Sequence, residues 1–222
     1  MKKLLTSLSV VMIGSTASQA AVITTGNDKP TINVIDGFEH SDYGQFAVNN
    51  DYATGSGQTW KSSQSIKIDA ISLAFKAFDF DANPDSWTVT LYTDWTSPTD
   101  ITTGSVLWTE SSLVPTGDHG DRQYVTIDFT AAEEDAIGIL AAGQEYGIVL
   151  NGGIDSGAFP FILRTLSGDT DSYTNGSGIW GNNPTNVEDA YFAVQGTAVP
   201  EPSSALLLLS AASLATLQRR RR

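Results

Sequence analysis

Two histidines, 25 acidic side chains and no cysteine bound the chemistry open to this 222-residue chain. His40 stands in Glu39-His40-Ser41-Asp42, which holds the residue types of a nucleophilic triad. Neighbours in sequence do not reach triad geometry, whose members come from separated segments. His119, in Gly117-Asp118-His119-Gly120-Asp121, reads as a turn. No G-x-S-x-G elbow and no H-E-x-x-H zinc pattern is present. Without cysteine, thiol catalysis, thiolate metal sites and haem attachment drop out. Glycoside hydrolysis asks only for two carboxylates about 5–10 Å apart. Glu133-Glu134 and Glu188-Asp189 are pairs of that kind, with no specificity among so many acids. No catalytic residue is assigned, and an enzyme is not expected.

Two binding chemistries suit the residue types better. Asp79, Asp81 and Asp85, with the Asn83 amide, offer four hard oxygen donors within seven residues. Ca²⁺ takes six to eight such oxygens, although the glycine and closing glutamate of an EF-hand loop are missing. Asp169, Asp171 and Asn175 make a second, looser set. The competing reading is a solvated acidic turn held by Asx hydrogen bonds. Trp180 and Trp95 lie in polar stretches, Gly176 to Asn183 and Asp94 to Pro98. An exposed indole stacks on a sugar ring while nearby amides and carboxylates bond its hydroxyls. The competing reading makes each a lid over one end of the fold, whereas Trp87 and Trp108 fall in strand patterns and belong to the core.

The elements that must carry these groups read as strands. Ile66, Ile68 and Ala70 share one parity, and Ile71, Leu73 and Phe75 the other. A strict period of two cannot bury both sets, so a bulge or break is predicted between Asp69 and Ile71. Trp87, Val89 and Leu91 alternate with Thr88, Thr90 and Tyr92, and Val125, Ile127 and Phe129 with Tyr124, Thr126 and Asp128. Shorter runs are Ile32 with Val34, Val106 with Trp108, Tyr146-Ile148-Leu150, Phe159-Phe161-Leu163 and Ala190-Phe192-Val194. Only Thr130 to Ile137 predicts a helix, with Glu133, Glu134 and Asp135 suited to its first turn. Eight or nine short strands between Gly, Asn, Asp and Ser clusters predict an all-β, antiparallel, jelly-roll-like sandwich. It occupies residues 31–198, with 21–30 as a flexible lead-in.

Both ends have a different character. Lys2 and Lys3, the apolar run Leu4 to Ile13 and the small residues of Ser18-Gln19-Ala20 predict a signal peptide over 1–20, cut by signal peptidase between Ala20 and Ala21. Its apolar run is too short for a permanent anchor. At the other end Pro200-Glu201-Pro202 precedes an uncharged run, Ser203 to Leu217, and then Arg219, Arg220, Arg221 and Arg222. The prolines cannot sit inside a helix, so one is predicted to start at Ser203 or Ser204. Fifteen helical residues span about 22 Å against a hydrocarbon core of about 30 Å. Snorkelling arginines and local thinning make up the difference for a single transmembrane helix, with the arginines on the cytoplasmic side. Between the two ends, six basic side chains face 24 acidic ones, a formal charge of −18. Such a surface repels nucleic acid and anionic lipid.

This box, helix and arginine cluster, over residues 199–222, resemble the PEP-CTERM sorting signal of exported bacterial proteins. The resemblance implies an exosortase, a membrane-embedded protease-like enzyme that cuts near the box. It also implies a Gram-negative envelope and an exopolysaccharide or biofilm setting. The body from about Gly57 to Gly152 is similar to the choice-of-anchor domains. That similarity runs through Gln58-Thr59-Trp60, the paired isoleucine strand, Thr88-Val89-Thr90-Leu91-Tyr92 and Gly143 to Leu150. These are sandwich domains often attached to such tails, and the likeness implies no activity. The expectation is an exported, non-enzymatic structural or binding protein of the cell surface or matrix, held briefly in the inner membrane and acting near extracellular polysaccharide. A carbohydrate-binding module, with or without calcium, is the alternative, and a secreted polysaccharide-active enzyme stands behind it.

Overall fold

A computed structural model describes residues 21–39, 55–76, 87–113, 122–152, 161–162, 173–184 and 189–200. In chain order these hold β1 (Val22–Gly26), β2 (Val34–Phe38), β3 (Ser56–Lys61), β4 (Ile66–Lys76), β5 (Trp87–Thr93), β6 (Ser105–Leu113) and β7 (Arg122–Asp128). Then come α1 (Ala131–Ile137), β8 (Ile139–Leu140), β9 (Glu145–Gly152), β10 (Phe161–Ile162), β11 (Gly178–Trp180), β12 (Asn183–Pro184) and β13 (Phe192–Ala198). All the ladders are antiparallel, and they form two sheets. The first runs β1-β7-β4-β13-β2, with β8 and β10 added on β4; the second runs β12-β11-β3-β9-β5-β6.

Inward residues of both sheets form one apolar cluster, as two layers sharing a core must. Ile68, Leu73, Val125 and Phe192 come from the first sheet, and Trp60, Leu91, Ile148 and Trp108 from the second. The predicted break in β4 is a bulge at Asp69. On β13, Gln195 faces Ala70 while Gly196 faces Ile68, so Asp69 has no opposite number there. Its carbonyl accepts from Phe129 N–H at 2.9 Å instead. The slip lets Ile66 and Ile68 be buried together with Ile71, Leu73 and Phe75. Each such side chain contributes about 1.5–3 kcal/mol on burial, against about 1 kcal/mol for a ladder bond.

Several expectations change. Within the lead-in expected over 21–30, residues 22–26 pair with Tyr124 to Asp128 as the edge of the first sheet. Among the described residues thirteen strands replace the expected eight or nine, the surplus being mostly two- and three-residue pieces at the sheet margins. Val106 does not share the inward face of Trp108. A slip opposite Leu91 and Tyr92 turns it outward, 54% exposed, and Leu107 packs on the core in its place. Ile32 precedes β2 and is 74% exposed. Of the run from Phe159 to Leu163, only residues 161–162 are described.

The polar stretch after β5 covers the outer face of the second sheet. Asp100 caps a 3-10 turn at Ile101–Thr103 by accepting from Thr102 N–H at 3.0 Å. Ile101, whose N–H donates to Asn182 O at 2.9 Å, is buried with Val149 and Ile179. Gly147 leaves room for its terminal methyl, where a Cβ would collide with it.

Candidate functional site: the two ends of the folded body

The register brings both ends of the body to one end of the first sheet. Val22, at the start of β1, faces Asp128; Asp128 faces Ala70; Ala70 faces Gln195. From there β13 runs down to Ala198, opposite Ile66, the first residue of β4. Three strand spacings separate β1 from β13, about 14 Å across the sheet.

The C-terminal exit lies on a central strand. β13 pairs with β4 on one side and β2 on the other, and Phe192, Ala193 and Val194 are buried. Beyond Ala198, Val199 N–H still donates to Ser65 O at 2.8 Å, and Pro200 is exposed. No spacer divides the sheet from the proline box.

The N-terminal end hangs on a side chain. Ala21, 7% exposed, points its nitrogen at Glu133 Oε1 at 3.2 Å. Trp108 Nε1 donates to the same oxygen at 3.0 Å. The other oxygen accepts from Thr130 N–H at 2.8 Å and Thr130 Oγ1 at 2.7 Å. Thr130 and Glu133 thus form a capping box at the start of α1, the reciprocal arrangement that satisfies two orphan donors. Burial pushes the Glu133 carboxyl up, but the Thr130, Trp108 and Ala21 donors outweigh it and hold the group below its ordinary 4.5. Trp108 is fixed edge-on to Phe129, with centroids 4.9 Å apart.

A second group of titratable side chains lies ahead of the start of β13, away from both exits. Gln58 Nε2 donates to Asp189 Oδ1 at 3.2 Å, and Gln58 Oε1 accepts from Ala190 N–H at 2.7 Å. Asp189 Oδ2 accepts from Tyr173 N–H at 2.9 Å, and Tyr173 OH donates to Asp36 Oδ2 at 2.9 Å. Burial, the largest influence on each, raises both carboxyls above 3.8 and the Tyr173 phenol far above 10. Every contact named here is internal, so the network ties β3, β2 and the approach to β13 together across the core.

With that geometry in place, one comparison is decisive for the C-terminal end. A family model described as the PEP-CTERM protein-sorting motif matches residues 198–222. The PEP-CTERM match therefore begins on the last residue of β13. Such a motif marks an exported protein handled by an exosortase-like system. None of the curated proteins compared matches the chain. The choice-of-anchor resemblance over 57–152 finds no support in these comparisons.

Of the PEP-CTERM tail, Pro200 is described, while Glu201, Pro202 and Arg219 to Arg222 lie outside the described residues, as do the leader through Ala20 and the helix expected over Ser203 to Leu217. Among the described residues no helix is long and apolar enough to cross a membrane. His40, His119 and the calcium candidates Asp79, Asp81 and Asp85 also lie outside them. Among the described residues no three His, Cys, Asp or Glu side chains converge on a metal position. Trp95 is half-buried and packs on the Ile101, Val149 and Ile179 group. Trp180 sits in β11, paired with Asn183 and Ser56. The two tryptophans therefore belong to separate elements, one on a connection and one in a strand. Sequence reasoning missed the roles of Glu133, Gln58 and Asp189, whose partners are 112, 131 and 16 residues away.

Proposed function

We propose that the chain is an exported structural or binding component of the cell surface or extracellular matrix, without catalytic activity, delivered by its two ends. The observation that carries this is the PEP-CTERM match starting on the last residue of β13, so that a sorting segment follows the fold without a linker. The leader over 1–20 takes the body across the membrane and is removed. The short helix from Ser203 to Leu217, with Arg219 to Arg222 on the cytoplasmic side, stalls the chain in the bilayer. With both exits at one end of the sheet, the jelly-roll-like sandwich hangs from the membrane by that end. An exosortase-like protease then acts near Pro200 to Pro202 and releases the body, whose surplus of 18 negative charges suits a hydrated polymer matrix.

The test follows processing of the full-length chain in a host that carries the sorting enzyme. Wild-type protein is expected to shorten by a tail-sized fragment and leave the inner membrane. Deletion of Arg219 to Arg222 is expected to leave unprocessed or misplaced product. Equal processing of the two chains would remove the arginines from the mechanism, and release without any C-terminal cut would remove the sorting step.

A further inference from the structure

Glu133 holds four donors on two oxygens. Three are explained by local chemistry, since Thr130 supplies two through the capping box and Trp108 one from the facing strand. The fourth is the nitrogen of Ala21, the first residue left by a cut after Ala20. We propose that the Ala21 nitrogen is the α-ammonium of the exported protein and that Glu133 is its built-in counter-ion, so that loss of the leader locks β1 onto the sheet. The inference rests on the export reading above.

Hydrolysis of the Ala20–Ala21 amide consumes one water. The hydroxyl goes to the Ala20 carbonyl, which leaves on the leader as a carboxylate. Ala21 keeps the amine, which takes up a proton below its usual pKa of about 7.7–8.0. One neutral donor becomes three donors bearing a positive charge, and a charge-assisted bond is roughly twice as strong as a neutral one. A peptide N–H at this place would need only a carbonyl. It meets instead a carboxylate kept ionised by three other donors. Because Ala21 is buried, an ammonium lacking a counter-charge there would carry a desolvation penalty, which this carboxylate offsets.

The other charged groups near this end of the packed elements reinforce the sign. Asp128 on β7 accepts from Thr24, Glu110 lies on β6, and Asp69 on β4. Glu134 and Asp135 on α1 are engaged by Lys67 of β4 at 3.4 and 2.8 Å. Lys67 is thus the one cation in this set, and it is already committed to two acids.

The test uses the full-length chain exported from a host that removes leaders, with N-terminal sequencing and a melting curve for each product. Wild type is expected to begin at Ala21. Inserting one glutamine between Ala20 and Ala21 keeps the Ala21 N–H but moves the charge one residue away, about 3.8 Å. At pH 6.5 that insertion is expected to lower Tm by about 2–4 °C. In a Glu133→Gln background, which keeps a capping-box residue type, the same insertion is expected to cost nothing. Glu133 raises the folded pKa of the amine. Its stabilisation is therefore complete below about pH 7.7 and lost as pH rises through the folded value. The difference between wild type and insertion should close as pH is raised above the α-amino range of about 7.7–8.0 and through the folded value. Should Glu133→Gln fail to fold, that pH profile carries the test alone. A leader that stays on overturns the export reading itself. A first residue other than Ala21 overturns the counter-ion role with export intact. A wild type that begins at Ala21 but shows no Tm difference, or the same difference without Glu133, overturns the latch alone.

Discussion

Ala21 and Val199 leave the same end of the same sheet, yet they are held differently. Ala21 opens an edge strand with one neighbour, β7, and its own nitrogen is secured by a single carboxylate on α1. Val199 follows a strand that is flanked on both sides from Phe192 to Gln195 and by β4 alone from Gly196 to Ala198, with Phe192 and Val194 rooting it in the core. An edge strand can peel away one bond at a time, whereas the doubly paired part of β13, Phe192 to Gln195, comes out only if two ladders and the core open together. The contrast matches the two sorting events proposed for the chain. Under that proposal the leader comes off a margin that is completed afterwards, and the tail begins a few residues beyond a stretch that the fold holds on both sides.

Breaking the central strand should have the largest effect. Phe192→Ala is expected to cost about 3–5 kcal/mol in a denaturant titration, because it empties a fully buried site between the sheets. A loss under about 1 kcal/mol would show that β13 is not the keystone. Gly196→Val is next, at about 1–3 kcal/mol, since a Cβ there runs into the Lys67 carbonyl at the bulge. Asp189→Asn is expected to cost about 1–3 kcal/mol. Its two oxygens accept from Gln58 and Tyr173, and an amide turns one acceptor into a donor facing a donor. Circular-dichroism melts of that variant should show loss without change of fold. At the margin, Val22→Thr should stay within about 0.5 kcal/mol, because the side chain is 55% exposed on the edge strand.

Acid titration sharpens the same contrast. Burial raises Asp36 and Asp189 above 3.8, so the folded protein binds their protons more readily than the unfolded chain. Their contribution therefore grows as pH falls through the raised folded values toward 3.8. Glu133 does the reverse. Held below 4.5, it stabilises the fold above that value and loses its contribution as pH falls through its folded pKa. Tm should rise from neutral into mild acid and then fall. Asp189→Asn should flatten the rise, and Glu133→Gln the fall; an unchanged profile in either variant would separate that group from the titration.

What was legible in the sequence was local. The parity conflict from Ile66 to Phe75 forced a bulge, and it lies at Asp69. Thr130 and Glu133 announced a helix start, and α1 begins there. The motif at the C-terminus could be read outright because its signal is one short contiguous string. The misses share a cause in distance. β1 reads Val-Ile-Thr-Thr-Gly, too weak in pattern to look like a strand until β7 lies beside it. β3 shows no alternation because it is buried on both faces, Ser56 to Trp60 all lying inside between its neighbours β9 and β11. Ile101 was the one bulky apolar residue between Trp95 and Val106, a signal of packing that the polar stretch obscured. The Gln58–Asp189 and Ala21–Glu133 contacts join residues more than a hundred positions apart, and nothing in either local string marks them.

The bond from Val199 N–H to Ser65 O has a mechanical corollary. Proteolytic clefts grip several residues of extended substrate, and here the residues just upstream of the box, Phe192 to Val199, are already bonded along the β4 side. A sorting enzyme approaching from the tail, as proposed above, would meet the sheet rim as a doorstop. On that proposal a cut close to the box or downstream of it leaves the sheet intact, whereas one further upstream would unravel the cargo. If the tail is processed as proposed, the end of β13 is a ruler that fixes from the inside how short the trimmed stub can be.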